Sequence, residues 1–306
     1  MTPDAARRSA PPAAHLASEA LPLTSSGAAL GEALLARAGR PLDPQDRRSQ
    51  HSVATLQGCV PRIDVNIPAP DGRCPATLHL PDGEGPWPAV LLFPDAGGAR
   101  ETFREMADRV AAMGYATLLP DVYYRAGDWA PFDTATAVGD PEERARLGEL
   151  MGGLTRERIV ADSGAFLEFL LSRPEVTGAA VGTTGYCRGG RMSLIAAAAH
   201  PDRIAAAASF HGGRLAVADH PESLHRAADR IRATVYVAGA VEDGSFTAEQ
   251  GELLRKARSD VGVQHTVEFY PARHGFAVPD NPTYDPDAAA RHWAALKELY
   301  RAHFQG

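Results

Sequence analysis

Apolar and polar residues alternate over 63–67 and again over 76–80. That period-2 pattern predicts two strands with one covered face, paired antiparallel. Residues 88–93 form a continuous apolar run bounded by Pro and by Gly97-Gly98, the signature of a strand buried on both faces. Helical periodicity follows over 102–113, then a strand over 115–119 and an amphipathic helix over 156–171 with Ile159, Phe166, Leu167 and Leu170 on its inner side. Beyond it the pattern predicts strand 179–183, helix 189–199, strands 204–210 and 234–238, and helix 247–258. Strand 266–270 and a closing helix over 285–304 complete it. Strands alternating with helices over this length imply an α/β class with a mostly parallel central sheet and helices on both faces.

The first 56 residues break from this pattern. They are rich in Ala, Arg, Pro and Ser, and no aromatic residue of the Phe, Trp or Tyr type precedes Trp87. Without such anchors a segment buries too little surface to offset its ordering entropy, so 1–56 reads as a disordered extension, with one weak helix around 28–38, and 57–306 as one domain. Arg7-Arg8 resembles the start of a twin-arginine export signal, but Ser-Ala-Pro-Pro follows where an apolar stretch would begin, and export is not expected.

Composition narrows the function by exclusion. The net charge is −7 and the 31 basic residues are scattered, only Lys256 and Lys297 being lysine, so neither nucleic acid nor an anionic membrane is an expected partner. No apolar run approaches the roughly 20 residues of a membrane span. Three cysteines, Cys59, Cys74 and Cys187, cannot all pair, which points to a reducing compartment and a cytoplasmic location. The eleven histidines show no metal-ligand spacing, and no Gly-rich loop precedes a Lys-Ser/Thr pair, so neither a metal nor a nucleotide cofactor is expected.

Reactive groups in a parallel sheet gather in loops at the carboxyl ends of strands. Gly185-Tyr186-Cys187-Arg188-Gly189-Gly190 sits between a predicted strand and a helix and has the form of a nucleophile elbow, with Cys where Ser is more usual. The turn is tight enough that a Cβ at Gly185 or Gly189 would collide with its neighbours, and the helix start aims its positive end at the sulfur. Val241-Glu242-Asp243-Gly244 follows one later strand and Arg273-His274-Gly275-Phe276 another. Nucleophile, acid, histidine is the chain order of α/β-hydrolase sites, which assigns Cys187 as nucleophile, His274 as base and Asp243, in preference to Glu242, as its partner. The backbone N–H of Arg188 and one N–H from the loop 94–98 would form the oxyanion hole. Tyr123, Tyr124, Trp129, Phe132, His211, Phe246 and Phe276 lie near the expected cleft as candidate pocket or packing residues. His211 reads best as a satisfied loop histidine, and His292 and His303 as members of a solvated helix face.

These motifs, with the stretch from Gly114-Tyr115-Ala116 to Pro120-Asp121 and the late His-Gly-Phe-Ala, resemble the dienelactone hydrolases (carboxymethylenebutenolidases) over about residues 60–304. The resemblance implies an α/β-hydrolase fold, a monomer without a cofactor, a Cys187–Asp243–His274 triad and oxyanion donors at Ala96 and Arg188. Two positions depart from it. Family members acting on dienelactones carry Glu before the oxyanion residue, where it engages the resting thiol, and this chain has Asp95. They also carry a carboxylate-binding Arg four residues after the histidine, where this chain has Val278; a second such Arg falls near Arg144.

A thiolate is both a good nucleophile and a good leaving group, so a tetrahedral intermediate goes forward only when the departing group is well stabilised. The expected partner is therefore a small-molecule activated ester or enol-lactone. Two other readings share the fold: a thiol-dependent acyltransferase or thioesterase, and a ligand-binding protein without turnover.

Overall fold

The computed structural model describes residues 60–133, 136, 137 and 139–304. The extension 1–56 and the helix expected at 28–38 lie outside them. Among the described residues one sheet of eight strands runs through the molecule: β1 (Arg62–Ala69), β2 (Gly72–His79), β3 (Ala89–Phe93), β4 (Ala116–Pro120), β5 (Val181–Tyr186), β6 (Ile204–Phe210), β7 (Thr234–Glu242) and β8 (His265–Arg273). Their spatial order is β1-β2-β4-β3-β5-β6-β7-β8. The first two strands form the expected antiparallel pair and β2 meets β4 antiparallel; every later pairing is parallel.

Among the described residues six helices accompany the strands: α1 (Glu101–Ala111), α2 (Pro141–Gly152), α3 (Arg156–Leu171), α4 (Arg188–Ala199), α5 (Ala248–Asp260) and α6 (Pro286–Phe304). The period-2 geometry of β3 shows how both faces are covered. Val90 and Leu92 pack with Phe103 and Met106 of α1 and Trp293 and Leu296 of α6. Ala89, Leu91 and Phe93 pack on the opposite face with Phe166 and Leu167 of α3, Ile195 of α4 and Leu254 of α5. This is the doubly covered parallel sheet that the continuous apolar runs require.

Three differences from the sequence pattern have physical causes. Strand β5 runs on to Tyr186 rather than stopping at residue 183. Thr183, Thr184 and Gly185 supply no apolar signal, yet all are buried, and Thr183 is satisfied by Ser193, with 2.8 Å between hydroxyl oxygens. Helix α2 was not predicted because it buries no residue and so has no apolar stripe. Its start is nevertheless written locally: Asp140 accepts from the backbone N–H groups of Glu142 (2.8 Å) and Glu143 (3.1 Å), and Pro141 opens the first turn. His292 is a correction: it is fully buried rather than on a solvated face, with Nε2 3.0 Å from the Tyr186 hydroxyl and Nδ1 2.8 Å from the Ala289 carbonyl oxygen. Burial holds its imidazole down to about 3. His303 does stay exposed. No helix among the described residues is long and apolar enough to cross a membrane.

Candidate active site

The parallel strands share one carboxyl edge, and the residues within three positions of their ends include Asp95 and Ala96 after β3, Tyr123 after β4, Cys187 after β5, His211 after β6, Asp243 after β7 and His274 after β8. Cys187 has φ 52 and ψ −115, a left-handed conformation that a non-glycine residue adopts only when its surroundings enforce it. The two glycines of the elbow supply the room. A Cβ on Gly185 would lie 2.0 Å from the Gly189 carbonyl oxygen, and one on Gly189 would lie 2.3 Å from the carbonyl oxygens of Phe93 and Pro94. The elbow is thus wedged against both its own helix, α4, and the loop after β3.

His274 Nδ1 lies 2.6 Å from Asp243 Oδ2, and Asp243 Oδ1 accepts from the Ser245 backbone N–H at 2.8 Å. Glu242 is exposed and pairs with Arg273 at 3.9 Å, so of the two acids it is Asp243 that meets His274. Burial by itself would lower the basicity of His274, but hydrogen bonds to Asp243 and to the Cys187 thiol outweigh it and bring its pKa up to about 10. Burial pushes the Asp243 carboxyl up, and the bonds from His274 and Ser245 more than reverse this, leaving it below its ordinary value. The arrangement favours imidazolium beside sulfur and carboxylate beside imidazolium.

His211 packs against His274, and its reading as a satisfied loop histidine fails at Nε2, which is buried without a hydrogen-bond partner. It is fully buried, its ring packs edge-on to His274 (5.2 Å between centroids) and to Phe276 (5.1 Å), and its Nδ1 accepts from the Cys187 backbone N–H at 3.2 Å. An accepting Nδ1 in a neutral ring places the proton on Nε2. Burial holds its pKa well down, with the charge of His274 acting in the same direction.

The loop after β3 is held from three sides. Tyr123 donates its hydroxyl to the Ala96 carbonyl oxygen at 2.8 Å. Trp129 lies over Gly98, where a Cβ would come within 2.3 Å of its ring, and its indole N–H reaches both oxygens of Asp121 at 3.1 and 3.0 Å. Asp95 accepts from the Gly97 backbone N–H at 2.8 Å and from Arg100. Both carboxylate oxygens of Asp95 therefore accept from Arg100.

The remaining predicted pocket residues divide. Tyr123 also lines a cavity of about 400 Å³ with Leu150, Leu154, Arg125, Arg146 and Arg158. Arg125 is bidentate to Asp162 (2.6 and 2.8 Å), and Arg146 pairs with Glu143 at 2.6 Å. Arg144 lies exposed on α2 and does not line this cavity. Phe246 is buried and stacks on Phe269 at 5.4 Å, and Phe276 is buried between Tyr270 and His211, 5.1 Å from each ring. The other described cysteine, Cys74, is buried and burial pushes its thiol well up, which leaves it unreactive. Among the described residues no group of three His, Cys, Asp or Glu could hold a metal ion. Arg100 escaped sequence reasoning altogether, because its second carboxylate partner is Asp280 on a distant loop.

Comparison with known proteins places the chain. The model of the dienelactone hydrolase family matches residues 74–304. A Synechocystis protein with the provisional name carboxymethylenebutenolidase is 27% identical over 214 residues, 68% of this chain and 83% of that protein. The carboxymethylenebutenolidase of a Pseudomonas species, strain P51, is 28% identical over 204 residues, covering 67% of this chain and 80% of its own. Among solved structures, a dienelactone hydrolase-like promiscuous phosphotriesterase from metagenomic libraries superposes with a TM-score of 0.67 at 28% identity, over 81% of this chain and all of that one.

Proposed function

The chain belongs to the dienelactone hydrolase family, and on that premise we propose that it hydrolyses activated carboxylic esters or enol-lactones through a thiol acyl-enzyme at Cys187. The reading rests on one observation: His274 Nδ1 lies 2.6 Å from Asp243 Oδ2, and the Cys187 thiol is among the groups that raise the basicity of the ring.

In the first half-reaction the Cys187 sulfur attacks the carbonyl carbon, and the charge developing on oxygen is taken by the backbone N–H groups of Ala96 and Arg188. The carbon–oxygen bond to the leaving group breaks, His274 gives that oxygen its proton and becomes neutral, and a thioester remains on Cys187. In the second half water attacks the thioester, His274 accepts a proton from it, the carbon–sulfur bond breaks and the thiolate returns. Asp243 fixes the tautomer of His274 and stabilises its charged form in both halves. The scheme needs no cofactor. Because sulfur leaves readily, the scheme selects substrates with stabilised leaving groups, such as aryl esters and enol-lactones, over simple alkyl esters.

The test is a rate comparison of wild type and Cys187→Ala on p-nitrophenyl acetate, a dienelactone and, because one relative is named for it, a phosphotriester. Loss of turnover on the ester and the lactone supports the reading. Equal rates of the two proteins on both would sink it.

A further inference from the structure

Four arginines far apart in the chain are gathered by the fold beside the nucleophile elbow. Arg188 and Arg191 stand on the first turn of α4, Arg156 opens α3, and Arg214 lies in the loop after β6. Their side chains bond to backbone carbonyl oxygens. Arg188 Nη2 donates to Leu154 at 2.7 Å and to Met151 at 3.4 Å, Arg191 Nη1 to Arg214 at 2.5 Å, and Arg156 Nη1 to Glu222 at 3.1 Å. These bonds join the segment before α3, the elbow and the loop after β6. Among the described residues none of the four forms an ion pair, whereas Arg100 and Arg125, also largely buried, each meet two carboxylates. Arg188 Nε is buried with no partner at all.

The charges act on one another. Burial holds Arg191 below its ordinary value, and the charges of Arg188, Arg156 and Arg214 push it the same way, against Glu222. Burial also holds Arg188 down, and Tyr123 and Cys187 oppose that. Arg156 acts on a second acid, Glu157. Four guanidiniums against two carboxylates, neither in contact with them, leave an excess of two positive charges. A solvated surface would disperse such an excess, but Arg188 and Arg191 are half-buried, where like charges without a counter-ion are costly to hold. A dianion would relieve that cost, and planar guanidiniums present donors in forks that match phosphate oxygens.

We propose that Arg156, Arg188, Arg191 and Arg214 form a binding site for a phosphate dianion beside Cys187. Arg188 directly follows Cys187 and lies within electrostatic reach of it, so a phosphate carried on an ester would be held next to the reacting thiol. Free phosphate would take the same site. The ester case rests on the reading of Cys187 as nucleophile; the site does not, and its test needs no turnover.

The experiment is calorimetric titration of the full chain with inorganic phosphate, at constant ionic strength and a pH that makes it a dianion. Wild type should bind phosphate, and Arg191→Gln and Arg214→Gln should each weaken binding by about tenfold, as expected when one charge-assisted contact is lost. Arg301→Gln, which breaks an exposed pair on α6, should not. Arg214 is exposed, so its variant carries the test if Arg191→Gln does not fold. No binding by wild type, or binding that both cluster variants leave unchanged, overturns the proposal. The source of the phosphate is read from KM for an aryl ester carrying a phosphate against its neutral counterpart. A KM about tenfold lower for the phosphorylated ester, with the difference lost in Arg214→Gln, supports a site that holds the substrate's own phosphate. Equal KM values beside positive titration support a site for free phosphate.

Discussion

The hydroxyl of Tyr123 donates to the carbonyl oxygen of Ala96 at 2.8 Å, tying the loop after β4 to the residue assigned as an oxyanion donor. Removing that hydroxyl leaves the buried ring in place and frees the loop. A single hydrogen bond is worth about 1 kcal/mol, so Tyr123→Phe should lower kcat by about fivefold, with KM much less affected. Steady-state kinetics on one aryl ester checks this; an unchanged kcat would remove Tyr123 from oxyanion positioning.

Asp243 holds His274 through a 2.6 Å contact and is itself oriented by the Ser245 N–H. Asp243→Asn preserves shape but removes the charge that stabilises imidazolium. It should lower kcat by roughly 10²–10⁴-fold while the thermal transition moves little. Glu242→Gln, at the exposed neighbouring position, should leave kcat near the wild-type value.

The pKa of His274 is raised to about 10 from an ordinary 6.5. A folded state that holds this proton more tightly than the unfolded chain gains stability that is complete below pH 6.5 and lost as pH rises toward 10. The stability advantage of wild type over His274→Gln should therefore shrink across that window, as read by chemical denaturation at several pH values. Proton titration of His274 by NMR should also show a lower midpoint in Cys187→Ala, because the thiol is one of the groups raising it.

Gly185 has backbone where a side chain would go: its Cβ would lie 2.0 Å from the Gly189 carbonyl oxygen. Backbone on both sides cannot yield without distorting the elbow, so Gly185→Ala should destabilise by at least about 1–3 kcal/mol and abolish turnover together. Denaturant unfolding measures the first and ester hydrolysis the second. Ala at Gly148, which has open space around it, should do neither.

How much of this was legible in the sequence follows from whether a signal is local. The apolar run at β3 is local, and so is the glycine spacing around Cys187, because the steric demand of the elbow acts within a few residues. The order of Cys187, Asp243 and His274 was readable because each lies next to a strand end that periodicity predicts. Helix α2 was hidden from periodicity but not from its cap at Asp140. Arg100 and His292 were not readable, because their environments are made by residues far off in the chain, Asp280 for one and Tyr186 for the other. His211 follows a strand end like Cys187, Asp243 and His274, yet only the packed structure shows its ring against His274.

The central claim is a covalent acyl group on the sulfur of Cys187. Intact-mass measurement within seconds of mixing with p-nitrophenyl acetate, followed by peptide mapping, tests it directly. The account predicts a single acetyl adduct on the Cys187 peptide that disappears as hydrolysis completes and never forms in Cys187→Ala. Undiminished turnover with no adduct at Cys187, or an adduct that persists in Cys187→Ala, would contradict it.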